Sequence, residues 1–203
     1  MQTSRLEAFS DGVFAIAITL LVIEIAVPHG ENGGLARALA AQWPSYAAYA
    51  VSFAVIGIMW VNHHTLIELV ATVDRPLLFL NLLLLMFVAF IPFSTALLAE
   101  HLLSPSPDSN AAAAVYSANG VANAIGFNLI WRYIVRDARL LHAHLNVDQL
   151  RLRTRRFSLG LVIYPLTVAL SFVSAPLTLA VHGLVAAYYV VDQIATSPKL
   201  SPD

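Results

Sequence analysis

With 203 residues, 59% of them hydrophobic and only 11% charged, the chain has a mean hydropathy of +0.74. Soluble domains of this size are roughly half apolar and about a quarter charged, so this composition excludes an ordinary soluble domain and points to an integral membrane protein. The absence of cysteine excludes disulfides and thiolate metal sites.

In chain order, runs long enough to cross ~30 Å of hydrocarbon are expected at Leu6 to Val27, Trp43 to Val70, Leu77 to Leu98, Ala111 to Val135, Phe157 to Val173 and Pro176 to Ile194. The fold class expected is all-α, with six transmembrane helices in a single domain over 1-203 and a basic cytoplasmic connection at about 136-156. The first run is too long for a signal h-region, contains Glu24 and lacks a small-x-small cleavage site, so it is expected to stay as helix one. Breakers at Pro28 to Gly34 and at Ser104 to Asp108 end helices one and three. Ser174-Ala175-Pro176 leaves room only for an antiparallel hairpin of helices five and six. Pro92 and Pro165 are expected to kink helices three and five.

The basic residues set orientation. Six spans place Arg5, Arg75, Arg132, Arg136, Arg139, Arg151, Arg153, Arg155, Arg156 and Lys199 on one side and Arg37 alone on the other. The positive-inside rule makes the crowded side cytoplasmic, with both termini inside, in a cell (inner or plasma) membrane. The net charge of -1 therefore hides a strong asymmetry. The Arg-rich connection reads as a loop meeting anionic headgroups and not as a nucleic-acid surface.

Helix one opens with Arg5, Phe9, Ser10 and Asp11 and runs straight into apolar sequence. An acidic side chain near hydrocarbon needs partners. Arg5 and Asp11 stand on different helix faces and are not i,i+3 or i,i+4 neighbours. Trp60, His63 and His64 on helix two lie at matching depth, with Glu68 one turn beyond. Arg5, Phe9, Ser10, Asp11, Trp60, His63 and His64 are therefore read as a structural brace holding helix one.

Phe9, Gly12, Ile16, Thr19, Leu20, Ile23 and Val27 share one stripe with Arg5, about 100° wide. The helix is apolar on every side, so periodicity alone leaves lipid, protein and pore all open to this stripe. Leu21, on the far side, reads as lipid-facing. Thr19 either bonds its own i-4 carbonyl at Ala15 or presents an oxygen outward. Glu24, beyond the stripe's edge, either concentrates cations at an outer mouth or bonds a neighbouring helix. In helix four, Asn119, Asn123 and Gly126 with Gly120 and Asn128 suit close helix packing.

No His-Glu-x-x-His, nucleotide loop or hydrolase elbow occurs. The adjacent His63-His64 and the pair His142 and His144 lack a full ligand set. The expectation is no enzyme, no metal and no cofactor.

Arg5, Phe9, Ser10 and Asp11 followed by Gly12 and Ala15-Ile16, with Trp60-Val-Asn62-His63-His64 one helix later, resemble the signature of the lysosomal-type potassium channel family, transmembrane protein 175 and its bacterial relatives. The resemblance implies a channel permeable to K+ and other monovalent cations, without a carbonyl filter, built as a homotetramer with helix one lining the pore. It further implies that Ile16, Leu20 and Ile23 form a hydrophobic gate and that Thr19 forms a selectivity ring. Some relatives are polar at position 15, and Ala15 offers no such group here. The alternative from the residues alone is a proton-coupled secondary transporter relaying through Asp11, His63, His64 and Glu68. Against it, the chain shows no inverted halves.

Overall fold

A computed structural model describes residues 3–28, 34–104, 106–136, 138–148, 150 and 160–196. Among the described residues, regular structure is helical apart from one isolated antiparallel bridge between Val70 and Leu141. Arg151, Arg153, Arg155, Arg156, Lys199 and the expected start of helix five at Phe157 lie outside the described residues.

Helix α1 covers Thr3–Ile23 and ends before the expected Val27. Pro28 disfavours helical backbone in the residue before it, and the Ala26 carbonyl accepts from Gln42 Nε2 at 2.8 Å instead. A short helix α2, Gly34–Ala41, was not anticipated, and it starts at Gly34 with φ +81. Glycine adopts that backbone without a Cβ clash.

Helix α3, Trp43–Ile67, carries Pro44 in its first turn, where the missing N–H costs nothing. It stops short of the expected Val70, because Leu69 to Ala71 bond the segment at Leu140 to His142. Ala71 N donates to Leu140 O at 2.7 Å and His142 N to Leu69 O at 3.2 Å. The third expected span divides into α4, Arg75–Ala89, and α5, Ile91–His101. The break at Phe90 follows from Pro92, which has no N–H for the Val88 carbonyl. Asp74 caps α4, accepting from Leu77 N at 3.0 Å and, through its second oxygen, from Tyr133 OH at 2.5 Å.

Helix α6 runs Pro107–Arg136, α7 Gly160–Ser171 and α8 Ala175–Thr196. The turn between α7 and α8 is as tight as expected, and Leu177 N donates to Ser174 Oγ at 3.3 Å at the start of α8. By length and apolar composition, Thr3–Ile23, Trp43–Ile67 and Arg75–His101 are long enough to cross a membrane, while Gly160–Ser171 and Ala175–Val191 are shorter apolar helices. Helix α6 has the length, at 30 residues, but its small and amide side chains make it less apolar.

Helix α1 packs on α3 and α4 at one flank of the bundle, and α6 joins α4, α5 and α7 at its centre. The main core gathers Phe14 and Leu21 with Ile56, Leu66, Leu84 and Trp131. Small residues on α6 set its distances. A Cβ at Gly120 would lie 2.7 Å from Tyr164, and one at Gly126 would lie 3.1 Å from Leu84. The asparagines expected to join helices mostly bond within α6, Asn123 Nδ2 donating to Asn119 O at 3.0 Å, whereas Asn119 reaches Ser94 Oγ at 3.5 Å. A buried seam of hydroxyls completes the centre: Thr95 Oγ1 donates to Ser52 Oγ at 2.8 Å, and Ser52 bonds Tyr116 OH at 2.9 Å.

Candidate pore helix and its polar brace

The two faces of α1 have opposite fates. Leu6, Ser10, Phe14, Ala17 and Leu21 recur at three- and four-residue spacing and are buried against α3 and α4. Phe14 is 2% exposed and Leu21 1%. Leu21, expected on the lipid side, is therefore a core residue: its wheel position continues the row of Phe14 and Ala17 into the apolar centre of the subunit. The expected stripe is left uncovered by its own subunit, with Ile16 61%, Leu20 39% and Ile23 72% exposed. Arg5, Phe9, Gly12, Thr19, Glu24 and Val27 are also exposed.

Thr19 Oγ1 donates its hydrogen into its own helix, with Ala15 O and Ile16 O both at 2.9 Å. Its remaining lone pairs point away from those carbonyls, so the back-bonded hydroxyl still offers an acceptor on the exposed face.

The brace residues divide into two layers. In the buried layer, His63 Nε2 donates to Asn81 Oδ1 at 2.7 Å, Asn81 Nδ2 to Ser10 Oγ at 3.0 Å, and Ser10 Oγ to Leu6 O at 2.8 Å. The direction is fixed from the far end: a hydroxyl that donates to a carbonyl must accept from the amide, which leaves the amide oxygen for the imidazole. This chain ties α1, α4 and α3 together where no water competes. His63 also packs on Phe14, ring centroids 5.4 Å apart.

In the outer layer, Trp60 Nε1 donates to Asp11 Oδ1 at 2.9 Å. His64 sits between two carboxylates, Nδ1 3.0 Å from Glu7 and Nε2 3.3 Å from Glu68, and stacks on Trp60. Arg5 makes none of these contacts, and Phe9 is exposed. Among the described residues no hydrogen bond joins Asp11 to either histidine, so a relay running through Asp11, His63, His64 and Glu68 is not connected.

Asn81 and Glu7 were not singled out from the sequence. A lone Asn in the run Leu80-Asn81-Leu82 was the available signal for the first. For Glu7, inside the Arg5 to Asp11 segment, the available signal was its position four residues before Asp11 on the same side of α1.

A profile described as endosomal/lysosomal potassium channel TMEM175 matches residues 5–92, the segment holding α1, α3 and both brace layers. A potassium channel of Streptomyces collinus is 56% identical over 194 residues, covering 95% of this chain and 94% of the relative. The chain belongs to the TMEM175 potassium channel family. Another relative, a potassium channel of Chamaesiphon minutus, is 45% identical with 94% of each chain covered. The crystal structure of a lysosomal potassium-selective channel TMEM175 homologue from Chamaesiphon minutus superposes with a TM-score of 0.84 at 44% identity, covering 94% of this chain and 97% of that one. TMEM175 relatives are channels, and an enzymatic role has no support among them.

Proposed function

We propose that this protein is a potassium-permeable cation channel of a cell membrane, assembled as a homotetramer around the exposed face of α1. The carrying observation is the two-sidedness of that helix. Its bulky face is fixed by the brace and the core, while Ile16, Thr19, Leu20 and Ile23 are left uncovered by their own subunit. A single helix encloses no path, so symmetric copies of this face must surround one.

In this reading Ile16, Leu20 and Ile23 form apolar rings that close by dewetting. Thr19 contributes a ring of hydroxyl oxygens, Glu24 raises cation concentration at the outer mouth, and both termini are cytoplasmic. The brace holds α1 at a fixed rotation, and that rotation decides which side chains meet the ion. Six spans are accommodated by α1, α3, the α4–α5 pair, α6, α7 and α8.

Reconstitution of the purified chain in liposomes carrying a potassium gradient tests the reading. Potassium-driven flux with resolvable unitary currents is the expected result, whereas slow, proton-dependent exchange without current steps would overturn it.

A further inference from the structure

The exposed row of α6 ends in charge. After Pro107 and Asp108 in the first turn, its exposed residues are Ala111, Val115, Ala118, Ile125, Leu129, Arg132 and Arg136, spaced so that they occupy one side of the helix. That side lies opposite the one carrying the buried Ala113, Phe127 and Trp131. Ile125 and Leu129 give the row an apolar body, 44% and 40% exposed. One turn on, two guanidiniums stand at i and i+4, close enough to share one ligand. Neither pairs with a carboxylate among the described residues. Asp74, held against this end of α6 by Tyr133, has both oxygens engaged by Leu77 N and Tyr133 OH.

We infer that Arg132 and Arg136 form a binding site for the phosphate of an anionic phospholipid, whose acyl chain lies along Leu129 and Ile125. The surface is continuous with the apolar exterior of the bundle, which supports lipid as the occupant. Two guanidiniums with no carboxylate partner among the described residues attract the anionic headgroups of a membrane surface. Guanidinium also binds phosphate oxygens through paired N–H donors in a way lysine does not. A second copy of the chain fits this surface less well, since the exposed acid of α6, Asp108, lies in its first turn, at least about six turns from the two cations.

The test uses full-length protein purified from membranes containing phosphatidylglycerol, with native mass spectrometry counting retained lipid. The wild type is expected to keep phosphatidylglycerol in preference to phosphatidylcholine. Each removed guanidinium should lower apparent affinity roughly fivefold, the effect of about one surface charge on an anionic lipid. R132Q/R136Q should therefore retain little, while R37Q, at the opposite end of the bundle, should match the wild type. R132K/R136K, which keeps the charges but not the paired donors, should lie between, and serves if the glutamine pair fails to assemble. Excess inorganic phosphate should not displace the bound lipid, because it gains nothing from the apolar row. Equal lipid retention by the wild type and R132Q/R136Q, equal retention of the two lipids, or displacement by phosphate would overturn the site. So would a loss of oligomer with unchanged lipid binding in R132Q/R136Q, which would assign the row to subunit contact.

Discussion

Leu20 and Leu21 are adjacent in sequence and opposite in consequence. Leu20 is exposed on the α1 stripe, and its truncation to Ala should wet the closed constriction and raise basal potassium flux. Leu21 is buried, so Leu21→Ala should leave a cavity, cost about 2–5 kcal/mol and lower the melting temperature. Leu166, exposed on α7, is the neutral comparison for flux. Should Leu20→Ala and Leu166→Ala give the same flux, the stripe is not the constriction. Thr19 allows a finer test, because its hydrogen is committed to the helix and its lone pairs are not. Thr19→Val keeps the shape and is expected to reduce the preference for potassium over sodium, with Thr19→Ser close to wild type. Bi-ionic reversal potentials measure this, and three equal values would remove the hydroxyl from selectivity.

At the level of elements, α1 is held by one buried hydrogen-bonded chain and one exposed pair of contacts, and these should differ in weight. Asn81 is fully buried, so Asn81→Ala strands the His63 N–H and costs about 1–3 kcal/mol. Asp11→Ala should cost less in stability, because Trp60 is partly exposed and its N–H can find other partners. A melting temperature more sensitive to Asp11→Ala than to Asn81→Ala would reverse this ranking. The α6–α7 contact is set by Gly120, where a β-branched side chain would collide with the Tyr164 ring. Gly120→Val should cost about 1–3 kcal/mol through overpacking, read as a lowered melting temperature, and an unchanged value would mean that the helices separate freely. The long helices and the breakers between them were legible because hydrophobic length and proline chemistry are local properties. That Asp11 needs a partner at the depth of Trp60, His63 and His64 was also legible, since charge near hydrocarbon demands one, but which of the three it bonds was not. The position of Leu21 was not, because α1 is apolar all round and only packing distinguishes its faces. Nor was Asn81, whose role depends on which neighbour α4 meets. Helix α2 escaped because its few residues fall well short of a span.

For the whole molecule, everything turns on whether the uncovered face of α1 borders an aqueous ion path in the assembled channel. The native chain contains no cysteine, so single cysteines can be introduced without a background thiol. The decisive measurement is inhibition of potassium current by a charged, membrane-impermeant thiol reagent applied to reconstituted Thr19→Cys, Leu20→Cys and Ile23→Cys, with Leu166→Cys, exposed on α7, as the control. If α1 lines the pore, the three stripe variants should be modified and blocked, with rates rising when the channel is open, and Leu166→Cys should conduct unchanged. Unaltered currents in all three stripe variants, despite covalent labelling confirmed by mass, would contradict a pore lined by α1.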